Sequence, residues 1–417
     1  MPSHSGPLPR RHFLLAANAV VLSAALARSY AAVPNAAVTG DEAFWQQVQQ
    51  AYDRDPEIIN LNNGGVAPAP RAVLDAMQRD ERLTNLAPAF HMWNELEPRV
   101  EEVRKRMAAT WAVDPEAVAL TRNASESLEI AQLGLDLKPG DEVLCTTHDY
   151  PRMITAWQTR VRREGIVLRQ LPYGLPVTDP QQMVDLYAHA ITPRTRVLHM
   201  SHVTFVSGQI LPVRQICALA RARGLVSIVD GAHAIAHFPF TIGELDCDYY
   251  GASLHKWLSA PIGTGVLYVR RERIAGHWPL MPAPPGMDAN IRKFEEIGTH
   301  PAAPHNAIAD ALTFYENLGF ERKAARLRFL KQRWSDHVGQ WPGAKLLTDP
   351  AQSCAIGLVH VEGRDPYPLA DVLLKKHRVF VTPIVYNGIT GLRISPNVYS
   401  TLDDIDQFSA AMTAVLR

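Results

Sequence analysis

The sequence predicts a three-layer α/β domain followed by a smaller α+β domain. Two observations support this fold class. Short, apolar, β-branched runs alternate with segments of helical spacing over most of the 417 residues. After a proline-dense run at residues 279–285, two long helical patterns and two strand patterns follow. Because 47 % of the residues are apolar, the chain can build a sizeable core, and its length favours two domains.

The elements follow from spacing and from boundary residues, taken in chain order. Apolar residues at helical spacing predict helices at 72–80, 96–111, 128–135, 180–190 and 213–222. Runs bounded by turn residues predict buried strands at 117–120, 142–146, 167–171, 195–200, 226–229 and 262–269. Beyond the proline-dense loop, helices are expected at 307–318 and 321–337, and strands at 355–361 and 379–383. We therefore expect a large domain at 41–300, including an N-terminal segment, and a small domain at 301–417.

Charge and cysteine usage exclude several classes of protein. Lys plus Arg and Asp plus Glu number 42 each, so no overall field favours nucleic acid or an acidic membrane surface. A small-molecule partner is the more natural expectation. Cys145, Cys217, Cys247 and Cys354 show no CxxC or CxxH spacing, which argues against zinc and thioredoxin-like sites. We expect buried free thiols and no metal site.

Residues 1–32 have the pattern of an export signal. Arg10 and Arg11 precede an apolar, Ala-rich run that ends at Ala27, and Ser29-Tyr30-Ala31 resembles a cleavage site. The paired arginines favour a twin-arginine signal, which implies passage through the twin-arginine export machinery to the periplasm or beyond. A general secretory signal and an uncleaved anchor are the alternatives. No later segment reaches about 18 uninterrupted apolar residues, so we expect the mature protein to be soluble.

Two residues at predicted strand ends point to pyridoxal phosphate chemistry. Asp230 ends an apolar run, and Lys256 lies 26 positions further on, after another short strand. A lysine for a Schiff base and a carboxylate for the pyridinium nitrogen are what this cofactor requires. Asp-Gly alone is usually a turn signal, and most lysines are solvated. The neighbouring Tyr250 and Trp257 favour burial of Lys256, which lowers an amine pKa as nucleophilic attack requires.

The segment after the strand at 117–120 is suited to bind a phosphate. Asn123, Ala124 and Ser125 stand where a helix begins, so backbone amides and a hydroxyl are available together. An ordinary helix cap would use the same residues, and both interpretations can hold. Ser253 and His255 could complete the phosphate site from the lysine side.

Taken together, these motifs resemble class V aminotransferases, which are fold-type I pyridoxal phosphate enzymes. The resemblance covers about residues 60–398, and its most specific block runs from Val229 to Val269. The isopenicillin N epimerase-like branch fits best. The resemblance implies the fold-type I transferase fold and a homodimer with shared active sites. It also implies roles for particular residues: Lys256 as the Schiff-base lysine, Asp230 at the ring nitrogen, His233 near the phenolic oxygen, Ala124, Ser125, Ser253 and His255 at the phosphate, Tyr150 stacked over the ring, Thr299 at the neighbouring subunit's phosphate, Arg393 at the substrate carboxylate and Asn63 at the substrate pocket.

Two departures from the family pattern narrow the activity. Cysteine desulfurases carry a nucleophilic cysteine shortly before the carboxylate-binding arginine, but residues 375–392 contain none, and Cys354 lies too early in a strand pattern. Where many relatives have an asparagine beside the cofactor hydroxyl, this chain has Phe205. Thr204 or Ser207 is the predicted replacement.

The resemblance implies an exported enzyme that acts at the α-carbon of an amino acid or modified peptide. Lys256 would hold the cofactor as an aldimine, and loss of the α-proton would give a quinonoid. Reprotonation on the opposite face would give epimerisation, and reprotonation at the cofactor would give transamination. The opposing hypothesis is a cofactor-binding protein without catalysis, which the joint presence of Lys256, Asp230 and Arg393 disfavours.

Overall fold

The computed structural model describes residues 41–417, so the predicted export segment lies outside the described residues. Within this range thirteen strands form three sheets. In chain order they are β1 (Ile59–Asn60), β2 (Val118–Thr121), β3 (Glu142–Thr146), β4 (Val167–Leu171), β5 (Thr195–Ser201), β6 (Val226–Asp230), β7 (Tyr249–Ser253), β8 (Gly265–Val269), β9 (Ala344–Leu346), β10 (Gly357–Val361), β11 (Val379–Phe380), β12 (Thr382–Tyr386) and β13 (Ile389–Ile394).

The central sheet has seven strands in the order β2-β8-β7-β6-β5-β3-β4. Strand β8 runs antiparallel to both of its neighbours, and the pairs from β7 to β4 are parallel. The carboxyl ends of β2, β3, β5, β6 and β7 therefore meet at one edge. Open α/β sheets bind their ligands at such an edge.

Alternating side chains of this sheet enter two different cores, which confirms the predicted three layers. Leu198 and Val229 face one core, and their neighbours Val197 and Ile228 face the other. The first core is covered by helices that include Glu97–Thr110, Gln181–Ala190, Val213–Ala222 and Ile308–Leu318, and the second by Ala124–Leu133 and Pro151–Glu164.

A second, smaller unit is built on the antiparallel sheet β12-β13-β10-β9. Its core gathers Trp334 and Phe408 with Leu61 from the N-terminal segment, which joins this unit through the parallel pair β1–β11. The remaining long helices are Glu42–Gln50, Arg71–Leu86, Phe320–Ser335, Pro366–His377 and Leu402–Leu416. The domain boundary at residue 300 stays a prediction, since helix Ile308–Leu318 packs in the large core.

Most predicted elements are present, and several need correction. Strand β4 is not buried: it is the edge strand of the sheet, and Val167 is 37 % exposed. The run at 379–383 divides into β11 and β12, because the chain passes from one sheet to another. The strand predicted from residue 262 begins only at Gly265, after the left-handed turn at Gly263 (φ +87°).

Two further corrections affect the region near the site. The helix predicted at 128–135 begins at Ala124, because the Asn123 side chain accepts a hydrogen bond from the Glu126 amide and caps it. Cys354 precedes β10 rather than lying within it, and all four cysteines are buried free thiols as expected. Among residues 41–417, no helix combines the length and apolar character needed to cross a membrane.

Candidate active site

A cavity of about 420 Å³ lies at the carboxyl edge of the central sheet. Its walls come from the ends of five strands of this sheet and the segments that follow them, together with Gly65 after β1, so residues far apart in sequence meet there. Of the residues predicted from the sequence, the cavity brings together Ala124, Ser125, Tyr150, Asp230, His233, Ser253, His255 and Lys256.

Lys256 and His233 form a close pair in this cavity. Nζ of Lys256 lies 3.2 Å from Nε2 of His233. Burial lowers the pKa of the Lys256 amine to about 8, although the nearby Asp230 carboxylate opposes this shift. Burial, reinforced by the charges of Lys256 and Arg393, also holds the pKa of His233 well below its usual range. The imidazole is therefore neutral at pH 7, and a substantial fraction of the Lys256 amine is neutral and nucleophilic just above it.

Asp230 is the last residue of β6 and places a buried carboxylate at the cavity wall. It is 5 % exposed and accepts a hydrogen bond from the Ala232 amide at 2.9 Å. Burial raises the pKa of this carboxyl. Gly231 follows because a Cβ there would lie 2.0 Å from the Tyr250 ring. A buried carboxylate with a single amide donor is suited to a cationic N–H such as a protonated pyridine nitrogen.

The N-terminus of helix Ala124–Leu133 offers an anion site at the other end of the cavity. The Ala124 amide donates to Ser253 Oγ at 2.9 Å, which leaves the Ser253 hydroxyl hydrogen available. The Ser125 amide has no hydrogen-bond partner among residues 41–417. Burial lowers the pKa of His255 to about 4, so this imidazole is neutral, and its Nδ1 is buried without a partner. These donors fit a phosphate group.

Arg393 lies on β13 of the small unit and does not line the cavity itself; its buried guanidinium lies directly behind Phe205, which does. It donates to the Phe205 carbonyl at 2.8 Å and to Asn62 Oδ1 at 3.0 Å. It pairs with no carboxylate of the described chain, and its Nε is buried without a partner. Burial lowers its pKa to about 10, so it remains charged at pH 7. A buried, unpaired cation is costly unless an anionic ligand binds beside it.

The two hydroxyls predicted to contact the cofactor, Thr204 and Ser207, are not among the residues that line the cavity, and their roles stay predictions. Thr204 and Ser207 are fully buried and hydrogen-bond each other at 2.9 Å. The turn that carries them packs against the small unit, where the Ser207 carbonyl accepts a hydrogen bond from the Thr348 hydroxyl at 2.6 Å. The cavity wall beside them is formed by Ser201, Val203 and Phe205 instead.

Asn63 does not line the cavity, so its predicted place at the substrate pocket stays a prediction, and it is Asn62 that contacts Arg393. The Asn63 side chain is fully buried, where it donates to Asn60 and Ser395 carbonyls and accepts from the Tyr399 hydroxyl at 2.6 Å. Asn62 reaches Arg393 instead. Asn62 and Asn63 are adjacent in the sequence, which contains no signal that separates these two asparagines.

Thr299 lies outside the cavity, in a different cleft with Trp93 and Glu97. Its predicted role concerns the neighbouring subunit's phosphate and stays a prediction.

Sequence reasoning also missed two residues that the structure places at this edge. Asp149 is fully buried, and its carboxylate accepts from the backbone amides and hydroxyls of Thr146 and Ser201. It ties the loop after β3 to the end of β5. Arg152 lines the cavity. Its place as the second residue of the helix that begins at Pro151, directly after Tyr150 and the end of β3, could have suggested this.

The polar groups of the cavity fit both the ring and the phosphate of pyridoxal phosphate. Asp230 matches the ring nitrogen, Lys256 matches the aldehyde, and the Ser125 amide with Ser253 and His255 matches the phosphate. The orphaned nitrogens of His233 and His255 are the kind of buried donor or acceptor that a ligand completes.

Comparison with known proteins agrees with this geometry. A family model described as aminotransferase class-V matches residues 59–408. The chain belongs to this family. Class V aminotransferases use pyridoxal phosphate, so the cofactor predicted from Lys256 and Asp230 is confirmed.

Curated relatives extend over almost the whole chain. An isopenicillin N epimerase of Streptomyces clavuligerus is 29 % identical over 392 residues, covering 89 % of this chain and 98 % of that protein. One from Amycolatopsis lactamdurans is also 29 % identical, over 88 % of this chain and 98 % of its own length. A probable cysteine desulfurase of Pseudomonas putida is 27 % identical over 84 % of this chain and 92 % of that protein.

Solved structures confirm the fold-type I architecture. A cysteine desulfurase from Escherichia coli superimposes with a TM-score of 0.79 at 23 % identity, covering 89 % of this chain and 99 % of the other. A mutant of C-DES, described with glycine linked covalently to the cofactor, gives 0.78 at 22 % identity over 86 % and 97 % of the two chains.

Proposed function

We propose that this class V enzyme epimerises the α-carbon of an amino acid, either free or carried by a small peptide. The observation that carries the proposal is the chemistry in and beside the cavity: the nucleophilic amine of Lys256 lies in it, the buried guanidinium of Arg393 is hydrogen-bonded to Phe205 of its wall, and no cysteine of the described residues lines it. Resemblance to two isopenicillin N epimerases over 98 % of their lengths supports the same reaction class.

The residues of the chain divide the work of such a reaction. Arg393 is held by Phe205 and Asn62 so that its free Nε and the outer Nη hydrogens can bind the substrate carboxylate. That contact fixes the α-carbon relative to Lys256. The neutral amine of Lys256 can then take the α-proton onto Nζ, and the neutral His233 can accept a hydrogen bond from it. Bound pyridoxal phosphate supplies the electron sink that stabilises the carbanion.

The thiols argue against sulfur transfer. Burial raises the pKa of Cys217 to about 12 and of Cys354 to about 11, and it raises those of Cys145 and Cys247 well above the usual range. A nucleophilic cysteine must be a thiolate that reaches the substrate. None of these four meets either condition.

A deuterium-exchange experiment tests the proposal. The protein loaded with pyridoxal phosphate is incubated in D2O with isopenicillin N and with a panel of L- and D-amino acids. We expect deuterium at the α-carbon together with inversion, and no keto acid. Keto acid with retained configuration would assign transamination instead. Absence of α-exchange with every compound would refute Cα chemistry and favour a cofactor-binding protein without catalysis.

Two lysine variants test whether Lys256 is the residue that binds the cofactor covalently. Lys256→Ala is expected to abolish exchange and borohydride fixation of the cofactor. Lys138→Ala changes an exposed lysine and serves as the matched control. Borohydride labelling of any peptide other than the one containing Lys256 would contradict the assignment.

We also propose export and dimerisation for this enzyme. Arg10 and Arg11 support the twin-arginine route to the periplasm, which is tested by fractionating cells that express the wild type and the Arg10→Lys, Arg11→Lys double variant. Only the wild type should leave the cytoplasm. Thr299 in its separate cleft supports a homodimer in which the neighbouring subunit's phosphate is reached from there. Light scattering of the purified protein should give twice the chain mass.

A further inference from the structure

Epimerisation needs proton-transfer groups on both faces of the α-carbon, because the proton must return on the side opposite the one it left. This inference rests on the proposed epimerase activity. Lys256 serves one face. The remaining question is which group of the cavity serves the other.

Most titratable residues of the cavity either lie on the same side as Lys256 or have another role, so they cannot serve the opposite face of the α-carbon. His233 lies 3.2 Å from Lys256 Nζ and therefore shares its side of the cavity. His255 precedes Lys256 directly and belongs to the phosphate end. Asp230 is a buried carboxylate at the position of the ring nitrogen. Two groups remain, Tyr150 and Arg152, and both follow β3. An arginine side chain stays protonated in proteins and cannot give a proton to carbon, so Tyr150 is the candidate.

The strand order places Tyr150 across the cavity from Lys256. Lys256 follows β7 and Tyr150 follows β3, while β6 and β5 lie between these two strands. Asp230, at the end of β6, therefore lies between the two side chains along the sheet edge. A ring whose nitrogen meets Asp230 would have Lys256 and Tyr150 on opposite sides.

The ring of Tyr150 is fixed close to the carboxylate anchor. It makes an edge-to-face contact with Phe205, with ring centroids 5.3 Å apart and planes at 82°. The carbonyl of Phe205 is also the acceptor for Arg393, at 2.8 Å. The phenol is near enough to raise the pKa of Arg393, although burial outweighs this and lowers that pKa overall. Tyr150 and the substrate carboxylate would thus be neighbours, which puts the phenol near the α-carbon.

The hydroxyl of Tyr150 is also available. It has no hydrogen-bond partner among residues 41–417, and the residue is 41 % exposed. Other tyrosines of the same region use their hydroxyls in the fold: Tyr386 donates to the Asp149 carbonyl at 3.1 Å, and Tyr250 lies 3.1 Å from His202. A free, half-exposed phenol can exchange its proton with solvent between turnovers.

We propose that the Tyr150 hydroxyl is the proton donor on the face of the α-carbon opposite Lys256. The Cα–H bond breaks on the lysine side, its electron pair stays on carbon, and the proton moves to Nζ. A new Cα–H bond forms with the proton of the Tyr150 hydroxyl, which leaves a phenolate. Nζ loses its proton to solvent and the phenolate regains one from solvent. In the reverse direction the two groups exchange roles.

The test compares Tyr150→Phe with the wild type in D2O, using the amino acid that the wild type epimerises. Phe keeps the aromatic ring and removes only the hydroxyl. We expect the rate of epimerisation to fall at least about 100-fold in Tyr150→Phe. The enantiomer whose α-proton faces Lys256 should still exchange that proton for deuterium with retention of configuration, at a rate within about tenfold of the wild-type rate. Tyr386→Phe, which removes a hydroxyl from the same aromatic cluster, should leave both rates near those of the wild type.

A spectroscopic measurement gives a second readout that does not depend on turnover. The Lys256→Ala protein is labelled with 3-fluorotyrosine, and the Tyr150 signal is assigned by its absence in the added Tyr150→Phe variant. The 19F signal of Tyr150 should shift when pyridoxal phosphate and the amino acid are added together, and the Tyr386 signal should not.

The outcomes separate the two proposals. A wild type that exchanges no α-proton refutes the proposed function and this inference with it. A wild type that epimerises alongside a Tyr150→Phe variant that inverts at a similar rate refutes the inference alone. Equal losses of exchange and inversion in Tyr150→Phe, or an unchanged 19F signal, would show a structural role and would also overturn the inference.

Discussion

Three charged side chains set the chemistry at the scale of single residues: the amine of Lys256, the carboxylate of Asp230 and the guanidinium of Arg393. Each is largely buried, and each has its pKa moved by burial toward the uncharged form. None of them forms an ion pair closer than 4 Å within the described chain. The protein thus keeps three unsatisfied charges close together, an arrangement typical of a site completed by a ligand.

Capture of pyridoxal phosphate by the apoprotein should depend on pH through Lys256. The neutral amine is the nucleophile, and the pKa of about 8 means that its population rises as pH rises through 8. The initial rate of capture, followed by absorbance, should increase roughly 30-fold from pH 6.5 to pH 9 and then level off. A rate that continues to climb toward pH 10.5 would show that the amine is not desolvated.

Replacing Arg393 by Lys should impair amino acid binding without affecting the cofactor. Lysine keeps the charge but loses the fork that Phe205 and Asn62 orient. The loss of one charge-assisted hydrogen bond predicts an amino acid affinity about 10- to 100-fold weaker. Spectral titration of the holoenzyme measures this, with exposed Arg364→Lys as the control. An equal loss of affinity for pyridoxal phosphate would contradict the prediction that Arg393 binds the amino acid and not the cofactor.

At the scale of elements, the site depends on how loops are held at the ends of strands. The loop after β3 carries Tyr150, and the end of β5 carries Ser201. Asp149 joins them by accepting four hydrogen bonds, two from Thr146 and two from Ser201. The aromatic wall of the cavity is therefore positioned by a buried carboxylate that does not itself line it.

Asp149→Asn should destabilise this connection. An amide offers one acceptor oxygen and two donors, so at least two of the four donors lose their partner in a buried site. We expect a loss of about 2–4 kcal/mol in the free energy of unfolding. Urea unfolding measures it, and Asp75→Asn, at an exposed helical position, should change stability by less than about 0.5 kcal/mol. Similar stabilities for the two variants would refute the role given to Asp149.

At the scale of the whole molecule, the cofactor groups and the carboxylate anchor belong to different cores. Lys256, Asp230 and the helix at Ala124 are built on the large sheet, while Arg393 lies on β13 in the small unit. The N-terminal segment links the two, because Leu61 packs in the small core and Asn62 contacts Arg393. With Arg393 as the proposed substrate anchor, we expect amino acid binding to require both units to be correctly packed and cofactor binding to require chiefly the large one.

Trp334→Ala should separate these two properties. Trp334 is fully buried in the small core, with its ring 5.9 Å from that of Phe408. Its truncation should cost about 3–5 kcal/mol. Across a urea titration, the amino-acid-induced spectral change should be lost before the absorbance of bound cofactor. Val385→Ala, on the exposed face of β12, is the control. Loss of both signals at the same urea concentration would contradict the assignment of cofactor binding chiefly to the large unit.

Sequence patterns predicted the order of the elements because strand and helix periodicities are local. Residues 142–146, 167–171 and 213–222 begin and end as predicted. The cofactor residues Lys256 and Asp230 were predictable for a related reason. Each stands directly at a strand end, and parallel strands bring their carboxyl ends to one edge whatever the details of packing.

Only the tertiary structure decided which polar residues of the loops face the cavity. Thr204 and Ser207 do not line the cavity, and Asn62 rather than Asn63 reaches Arg393. These outcomes depend on contacts with segments more than a hundred residues away, which no local pattern encodes. The predictions for Lys256 and Asp230 thus follow from the sequence alone, whereas Arg393 acquires its orientation, and Tyr150 the place that we propose opposite Lys256, only when the two cores are packed together.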